Sequence, residues 1–224
     1  MVSAYYKERP EVLALVPADS RHVLDVGCGS GLLGSALKRQ RSGIEVRGIE
    51  PIATEAAKAR DVLDAVHEGL AGDPLPAAWP TPDCIVFADA LEHMPDPWSV
   101  LASMVRQWPS GTTVVVSLPN VLHHGVLAGM ARGRWDYQEQ GVLDRTHLRF
   151  FTRATAAELI AGSGLVIDSL LRVPSYPGPG VFKSFLLGFT WPLRALERRF
   201  GVKHAGFSLL DPLTLQYLIR AHVP

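Results

Sequence analysis

Val23 to Gly34 reads VLDVGCGSGLLG, and this stretch decides the fold. A β-type run, His22-Val23-Leu24-Asp25-Val26, passes straight into Gly27-Cys28-Gly29-Ser30-Gly31, and a helical pattern follows. Glycines admit turn conformations that a Cβ blocks and let a ligand approach the backbone closely. The helix start beyond them offers free N–H groups. Strand, glycine loop and helix in that order make a nucleotide cradle. Residues 29–34 literally match GxGxxG, the dinucleotide fingerprint. That fingerprint wants its first glycine where the strand ends, and the strand ends at Gly27, so the match starts two residues late. The frame that begins at Gly27 has Leu32 where the third glycine belongs. Asp25, an acid inside the strand, is also unusual at a dinucleotide site.

Further β-type runs follow at Glu45–Ile49, Ala65–Glu68, Cys84–Ala88 and Thr112–Ser117, with helical stretches at Gly31–Arg39, Ala53–Arg60 and Trp98–Trp108 between them. Alternation of this kind is the signature of stacked βαβ units and a parallel sheet. Asp96 followed by Pro97 reads as an N-cap with proline at the first helical position. Past Ser117 the pattern changes, and Pro119 to Arg149 is polar, glycine-dotted and rich in histidine. Thr152 caps a helix running to about Ala161, Gly164–Val173 is a strand, and Leu213–His222 is a last strand. Two late strands joined by an excursion suggest an antiparallel hairpin at the sheet edge. Glu50 ends the second strand, where a carboxylate can accept both hydroxyls of a ribose.

The 224 residues suit one domain, and 47% hydrophobic with 20% charged residues is a globular balance. Lys and Arg number 22 and Asp and Glu 22, for a net charge of +0, so no global field attracts nucleic acid and none is expected as partner. The two cysteines, Cys28 and Cys84, form no CxxC pair and imply neither a disulfide scaffold nor a zinc site. The first residues, MVSAYYKERPEV, have no apolar core of the signal-peptide kind. No apolar run reaches the ~20 residues that span a bilayer. The expected address is cytoplasmic, and no oligomeric state is legible.

The chain resembles class I S-adenosylmethionine (SAM)-dependent methyltransferases, where an acid such as Asp25 inside the first strand is usual. It is most similar to the bacterial branch near ubiquinone-type O-methyltransferases and MetW-like proteins. The glycine loop carries the superfamily resemblance. Two later segments carry the branch: Ala88-Asp89-Ala90-Leu91-Glu92-His93-Met94-Pro95-Asp96-Pro97 and Asp144-Arg145-Thr146-His147-Leu148-Arg149-Phe150-Phe151-Thr152. The tyrosine pair Tyr5-Tyr6 and a helix from Pro10 to Pro17 belong to it as well. The resemblance implies an α/β fold, a Rossmann-like doubly wound seven-stranded sheet, mostly parallel with an antiparallel last strand. It places the cofactor SAM against Asp25, Gly27, Cys28, Gly29, Gly31, Glu50, Pro51, Leu70, Ala88 and Asp89. An acid usually meets adenine after the third strand. Leu70 stands there instead, and Asp73 or backbone N–H groups are the alternatives.

Methyl transfer to oxygen is an in-line displacement on a sulfonium with a neutral leaving group. The protein must align the reacting atoms, exclude water and take a proton from a hydroxyl acceptor. A histidine suits the last task. Ligands of open α/β sheets bind beyond the carboxyl ends of the strands, here the fourth and fifth. His123, His124 and His147 are the candidate bases, with Asp144 able to orient His147. His93, beside Glu92, either joins the chemistry or braces its turn. Tyr6, Asn120, Trp135, Tyr137 and Arg145 are candidate contacts to a small-molecule acceptor. No ordered carboxylate set that would hold magnesium is legible, so no metal is expected.

One domain over 1–224 is expected, with 119–151 and 174–210 as acceptor-side or lid insertions. The second of these holds an apolar, aromatic helix candidate at Val181–Phe200, which reads as a lid, as a peripheral membrane or partner contact, or as a helix packed on the sheet. The leading expectation is SAM-dependent methylation of a small-molecule hydroxyl, on a sugar, glycan precursor or secondary metabolite. The alternative is a non-catalytic, MetW-like SAM-binding partner of another enzyme. An NAD oxidoreductase is disfavoured by the glycine register.

Overall fold

A computed structural model describes residues 8–175, 208 and 210–224. The helix expected at Val181–Phe200, most of the 174–210 excursion and the tyrosine pair lie outside the described residues. The strands are β1 (His22–Val26), β2 (Glu45–Glu50), β3 (Ala65–Glu68), β4 (Cys84–Ala88), β5 (Thr113–Pro119), β6 (Val166–Pro174) and β7 (Thr214–His222). The helices are α1 (Pro10–Leu13), α2 (Leu32–Gln40), α3 (Ala53–Arg60), α4 (Pro97–Val105), α5 (His124–Met130) and α6 (Arg153–Gly162). The sheet has seven strands in the order β3-β2-β1-β4-β5-β7-β6. β7 runs antiparallel to both of its neighbours, and the pairs among β1 to β5 are parallel. This is the doubly wound, Rossmann-like sheet the sequence implies.

The period-two alternation of the strands sorts the core onto two faces. Leu24, Val26, Ile85, Phe87, Val114, Val116 and Ile219 point to one face, against Leu101 and Met104 of α4 and Leu159 and Ile160 of α6. Val23, Val46, Cys84, Val86, Val115 and Leu218 point to the other, against Val12 of α1, Leu33 and Leu37 of α2 and Ala59 of α3. β4 and β5 lie between them with almost every residue buried, which is why they read as unbroken apolar runs. Their carboxyl ends are thereby fixed at one rim of the sheet.

Most elements start where their chemistry says. Asp96 caps α4, accepting from the Ser99 N–H at 3.1 Å with Pro97 next in line. Thr152 and Thr155 form a reciprocal capping box at α6. The departures are local. The helix expected to reach Pro17 stops at Leu13, and the carbonyls of Val16 and Pro17 bond instead to the Arg41 guanidinium at 2.8 and 2.5 Å. β5 runs on to Pro119 because its partner β7 continues alongside, Pro119 facing Gln216. α5 falls inside the polar, glycine-dotted stretch from Pro119 to Arg149, where the periodicity is weak. It is one short glycine-bearing helix whose cap is the His123 ring, accepting from the Gly125 N–H at 3.3 Å.

Candidate active site

A cavity of about 610 Å³ opens at the carboxyl ends of β1, β4 and β5. The glycine loop closes one end of it. Gly27, Gly29 and Gly31 all take left-handed backbone, with φ of 75°, 53° and 80°. A Cβ on Gly27 would stand 2.9 Å from the Ala90 Cβ, so this position takes only glycine without something shifting. The loop is stitched to β2: the N–H groups of Gly27 and Cys28 both donate to the Ile49 carbonyl, at 2.8 and 3.1 Å.

Glu50 completes that seam from below. Its carboxylate accepts from the Gly29 N–H at 2.8 Å and the Ile52 N–H at 3.0 Å, and the residue is buried. It stands behind the loop rather than on the cavity wall. Asp25, in β1, does line the cavity, is buried, and has one carboxylate oxygen without a hydrogen bond among the described residues. Burial, with the charge of Glu50 adding to it, pushes the Asp25 carboxyl up to about 7. Burial likewise pushes the Cys28 thiol far above its ordinary value, which makes it an inert wall residue.

The floor is a polar knot that the sequence reading did not contain. Arg9 forms an ion pair with Asp89 at the tip of β4, and its guanidinium also donates to Ser117 of β5 and Gln216 of β7, both at 2.9 Å. Ser117 and Gln216 in turn donate to the other Asp89 oxygen at 2.5 and 2.9 Å. Arg9 and Asp89 are the two described non-glycine residues with left-handed backbone, at φ 49° and 56°. Burial acts against the Arg9 charge, but Asp89 and Glu11 outweigh it and raise the guanidinium above its ordinary value. Gln216 sits in a strand that also holds Thr214, Arg220 and His222, so its polarity does not single it out. Arg9 carries no pattern at all.

Titratable groups gather at the far end of the cavity. Leu91–His93 form a single 3-10 turn after β4, and the Glu92 carbonyl accepts from the N–H groups of Leu148 and Arg149 at 2.8 and 3.0 Å. That clamp sets His147 beside Glu92, with its Nε2 4.0 Å from the carboxylate and its Nδ1 3.0 Å from the Val142 carbonyl. The rings of His93 and His147 meet edge to face at 4.7 Å. Asp144 lines the same wall and holds Thr146 through its N–H and hydroxyl, at 2.8 and 2.7 Å. Glu92, His93 and His147 each present a donor atom within 4.8 Å of the others, the one such group among the described residues. Donors on one tetrahedral ion stand about 3.4 Å apart, closer than the Glu92–His147 separation.

Of the residues singled out from sequence, Asp25, Gly27, Cys28, Gly29, Ala88, Asp89, Asp144 and His147 meet on this wall. Gly31 caps α2 behind it. Pro51 and Leu70 stand exposed at the ends of β2 and β3, and Asp73 turns back to accept from the Leu70 N–H at 2.7 Å. His123 and His124 are off the wall. His123 caps α5, burial and the charge of His124 lower its pKa to about 4, and His124 bonds the Pro212 carbonyl at 3.1 Å. Asn120, fully buried, ties Asp211, Thr214 and Leu122 together through bonds of 2.7 to 2.9 Å. Trp135 packs edge-on against Phe150 at 5.2 Å, Tyr137 is exposed, and Arg145 pairs with Glu139 at 2.8 Å. Gln140, Gly141 and Val142 take the wall positions that the aromatic pair was expected to fill. Tyr6 lies outside the described residues.

Residues 2–170 match the methyltransferase domain family, and the chain belongs to it. It is a SAM-dependent methyltransferase with the Rossmann-like fold. Among similar proteins is a ubiquinone biosynthesis O-methyltransferase of Cupriavidus pinatubonensis, 27% identical over 174 residues, which are 69% of this chain and 67% of that protein. Its counterpart in Paracidovorax citrulli is 29% identical over 180 residues, 70% of this chain and 72% of that one. In fold the chain is similar to a SAM-dependent methyltransferase of Thermotoga maritima described as a possible histamine N-methyltransferase. That match has a TM-score of 0.64 and 18% identity, over 98% of this chain and 89% of that one. A neocarzinostatin-biosynthesis O-methyltransferase, solved with SAM and a naphthoic acid, matches with a TM-score of 0.58 and 17% identity, over 96% of this chain and 53% of that one.

Proposed function

We propose that the chain methylates a hydroxyl of a small-molecule acceptor, with the sugar, glycan-precursor and secondary-metabolite classes foremost and His147 as the residue that takes the hydroxyl proton. The observation that carries this reading is the continuity of the cavity. One space runs from the backbone of Gly27 and Gly29 to the rings of His93 and His147. Its volume falls within the ~300–1,000 Å³ usual for small-ligand sites. The O-methyltransferase relatives support oxygen as the atom methylated. In this reading the methionine end of SAM lies over the glycine loop, its carboxylate toward Arg9 and its ammonium toward Asp89. Residues 119–151 act as the acceptor-side insertion, contributing Gln140, Val142, Asp144 and His147. A cavity that extends past the loop to a group of titratable side chains favours catalysis over the non-catalytic partner role.

The experiment is methyl-group tracing. The protein, titrated calorimetrically with SAM and then incubated with labelled SAM and a panel of hydroxylated sugars and phenols, is expected to bind SAM and to label hydroxyl acceptors. His147→Asn is expected to bind SAM within twofold of wild type and to transfer about 100-fold more slowly, the lower end for a general base. SAM binding with label appearing only on amines would overturn the hydroxyl assignment.

A further inference from the structure

Glu92 is the most buried charged group on the cavity wall, with no exposed surface and no hydrogen-bond partner among the described residues for either carboxyl oxygen. A buried carboxylate left this way costs several kcal/mol unless it is neutral or paired. Its neighbours have settled proton positions. The Val142 carbonyl only accepts, so the His147 Nδ1 beside it carries hydrogen and leaves the Nε2 lone pair toward Glu92. His93 is set the same way. Its Nδ1 lies 3.2 Å from the Thr146 carbonyl and 3.1 Å from the Thr146 hydroxyl, whose own hydrogen goes to Asp144. Two imidazoles therefore show lone pairs at their Nε2 atoms, and one carboxyl lies between the turn and His147.

We propose that Glu92 and His147 share one exchangeable proton, and that Glu92 is where the proton released by methyl transfer comes to rest. This rests on the hydroxyl-methylating reading above. With the site empty, the pair is a carboxylic acid and a neutral imidazole. SAM brings a positive charge, and the pair releases its proton to solvent. The acceptor oxygen then forms its bond to the methyl carbon with a lone pair, and the electrons of the sulfur–methyl bond stay on sulfur, leaving a neutral thioether. The hydroxyl proton passes to His147 Nε2 and on to the Glu92 carboxylate. The sulfonium charge and the carboxylate charge vanish in one turnover, so the buried site changes no net charge. Glu92 acts through His147 rather than on the acceptor.

The surroundings agree. Burial, then the charge of Asp89, raise the Glu92 carboxyl well above the ordinary carboxylate range, with Asp144 adding to them and Arg9 opposing. Burial and the charge of His147 lower His93. Four groups, Asp89, Asp144, Arg9 and His93, are the charged and titratable neighbours that set the pair.

The test is nitrogen NMR of the histidine rings across pH, in the full chain, as wild type and Glu92→Gln, with calorimetric SAM binding as the fold control. His147 is expected to follow a two-step curve in wild type and a single step in Glu92→Gln, as coupled sites do when one partner is removed. SAM affinity should be weaker in Glu92→Gln, whose amide cannot supply the carboxylate that answers the sulfonium charge, with binding still measurable. With a hydroxyl acceptor that turns over, Glu92→Gln is expected to lower kcat about 100-fold at saturating SAM and to remove the rising limb of the pH profile. A His147 curve unchanged by the substitution overturns the proposal. So does a ring response that appears only on adding magnesium or zinc chloride, which would make the three groups cation ligands. Absence of SAM binding in wild type would instead break the methyltransferase reading and leave the NMR result standing.

Discussion

The segment after β1 and the segment after β5 both end on the cavity, and they are built in opposite ways. The first is made of backbone. Three glycines turn the chain left-handed, and its N–H groups are tied to the Ile49 carbonyl and the Glu50 carboxylate. The second, from Asn120 to Phe151, is made of side chains. Asn120 bonds across to the β7 approach, the His123 ring caps α5, and Asp144 holds Thr146. A backbone-built site needs glycine at set positions and so leaves a mark in the sequence. A side-chain-built site depends on partners about ninety residues away, such as Asp211 and Thr214, and leaves none.

The largest expected effect breaks the first segment. Gly27→Val forces a β-branched residue into left-handed backbone, at about 1–2 kcal/mol, and adds the 2.9 Å approach to Ala90. SAM affinity measured by calorimetry should fall at least ~100-fold, or ~2.7 kcal/mol. A loss under tenfold would show that the loop can rebuild itself.

The next breaks the second segment. Asn120→Ala removes the three hydrogen bonds of a fully buried side chain, to the carbonyls of Asp211 and Thr214 and from the Leu122 N–H. Urea unfolding should show a loss of about 2–4 kcal/mol, although Asn120 stands off the cavity wall.

Asp25 sharpens the comparison through pH. Its folded pKa, about 7, lies above the ~3.9 of an unfolded aspartate. Between those values the folded protein binds more protons than the unfolded chain, so stability falls as pH rises. The contribution is complete below about 4 and lost by about 7. Asp25→Asn should make the decline of Tm across this window shallower, and a Tm profile parallel to wild type would contradict it.

The smallest effects are at the exposed residues of the second segment. Trp135→Ala and Arg145→Ala touch an edge-on ring contact and an exposed ion pair. Each should change unfolding free energy by no more than ~1 kcal/mol. A tenfold loss of turnover from either would place the acceptor against a surface that the cavity does not reach.

The same division explains what was legible. β1, β3, β4 and α3 are found at their expected bounds: β1 and β4 are short, mostly apolar runs, and β3 and α3 are short segments of the same strand–helix alternation. The first two loop glycines are legible from local pattern, and Asp25 from what the family resemblance implies; all three line the wall. Glu50 stands at the expected strand end, where one oxygen accepts from the loop N–H of Gly29 and the other from the Ile52 N–H just beyond it. Trp135, Tyr137 and Arg145 are singled out by residue type, which says nothing of direction: Trp135 and Arg145 face neighbours of their own and Tyr137 is exposed. Arg9 and Gln216 come from opposite ends of the chain to meet at Asp89, a distance no local pattern spans.

The acidity of the wall bears on how the enzyme lets go of its product. Glu8, Glu11, Asp25, Asp89 and Asp144 face the cavity, and Arg9 is its one described guanidinium or ammonium, already paired. SAM enters as a cation. S-adenosylhomocysteine leaves with that charge gone, so the field that draws one in does not retain the other. As pH rises through about 7 and Asp25 ionises, the ratio of the two dissociation constants should move further in favour of SAM. Turnover then carries its own release step: the reaction erases the charge by which the pocket holds its guest.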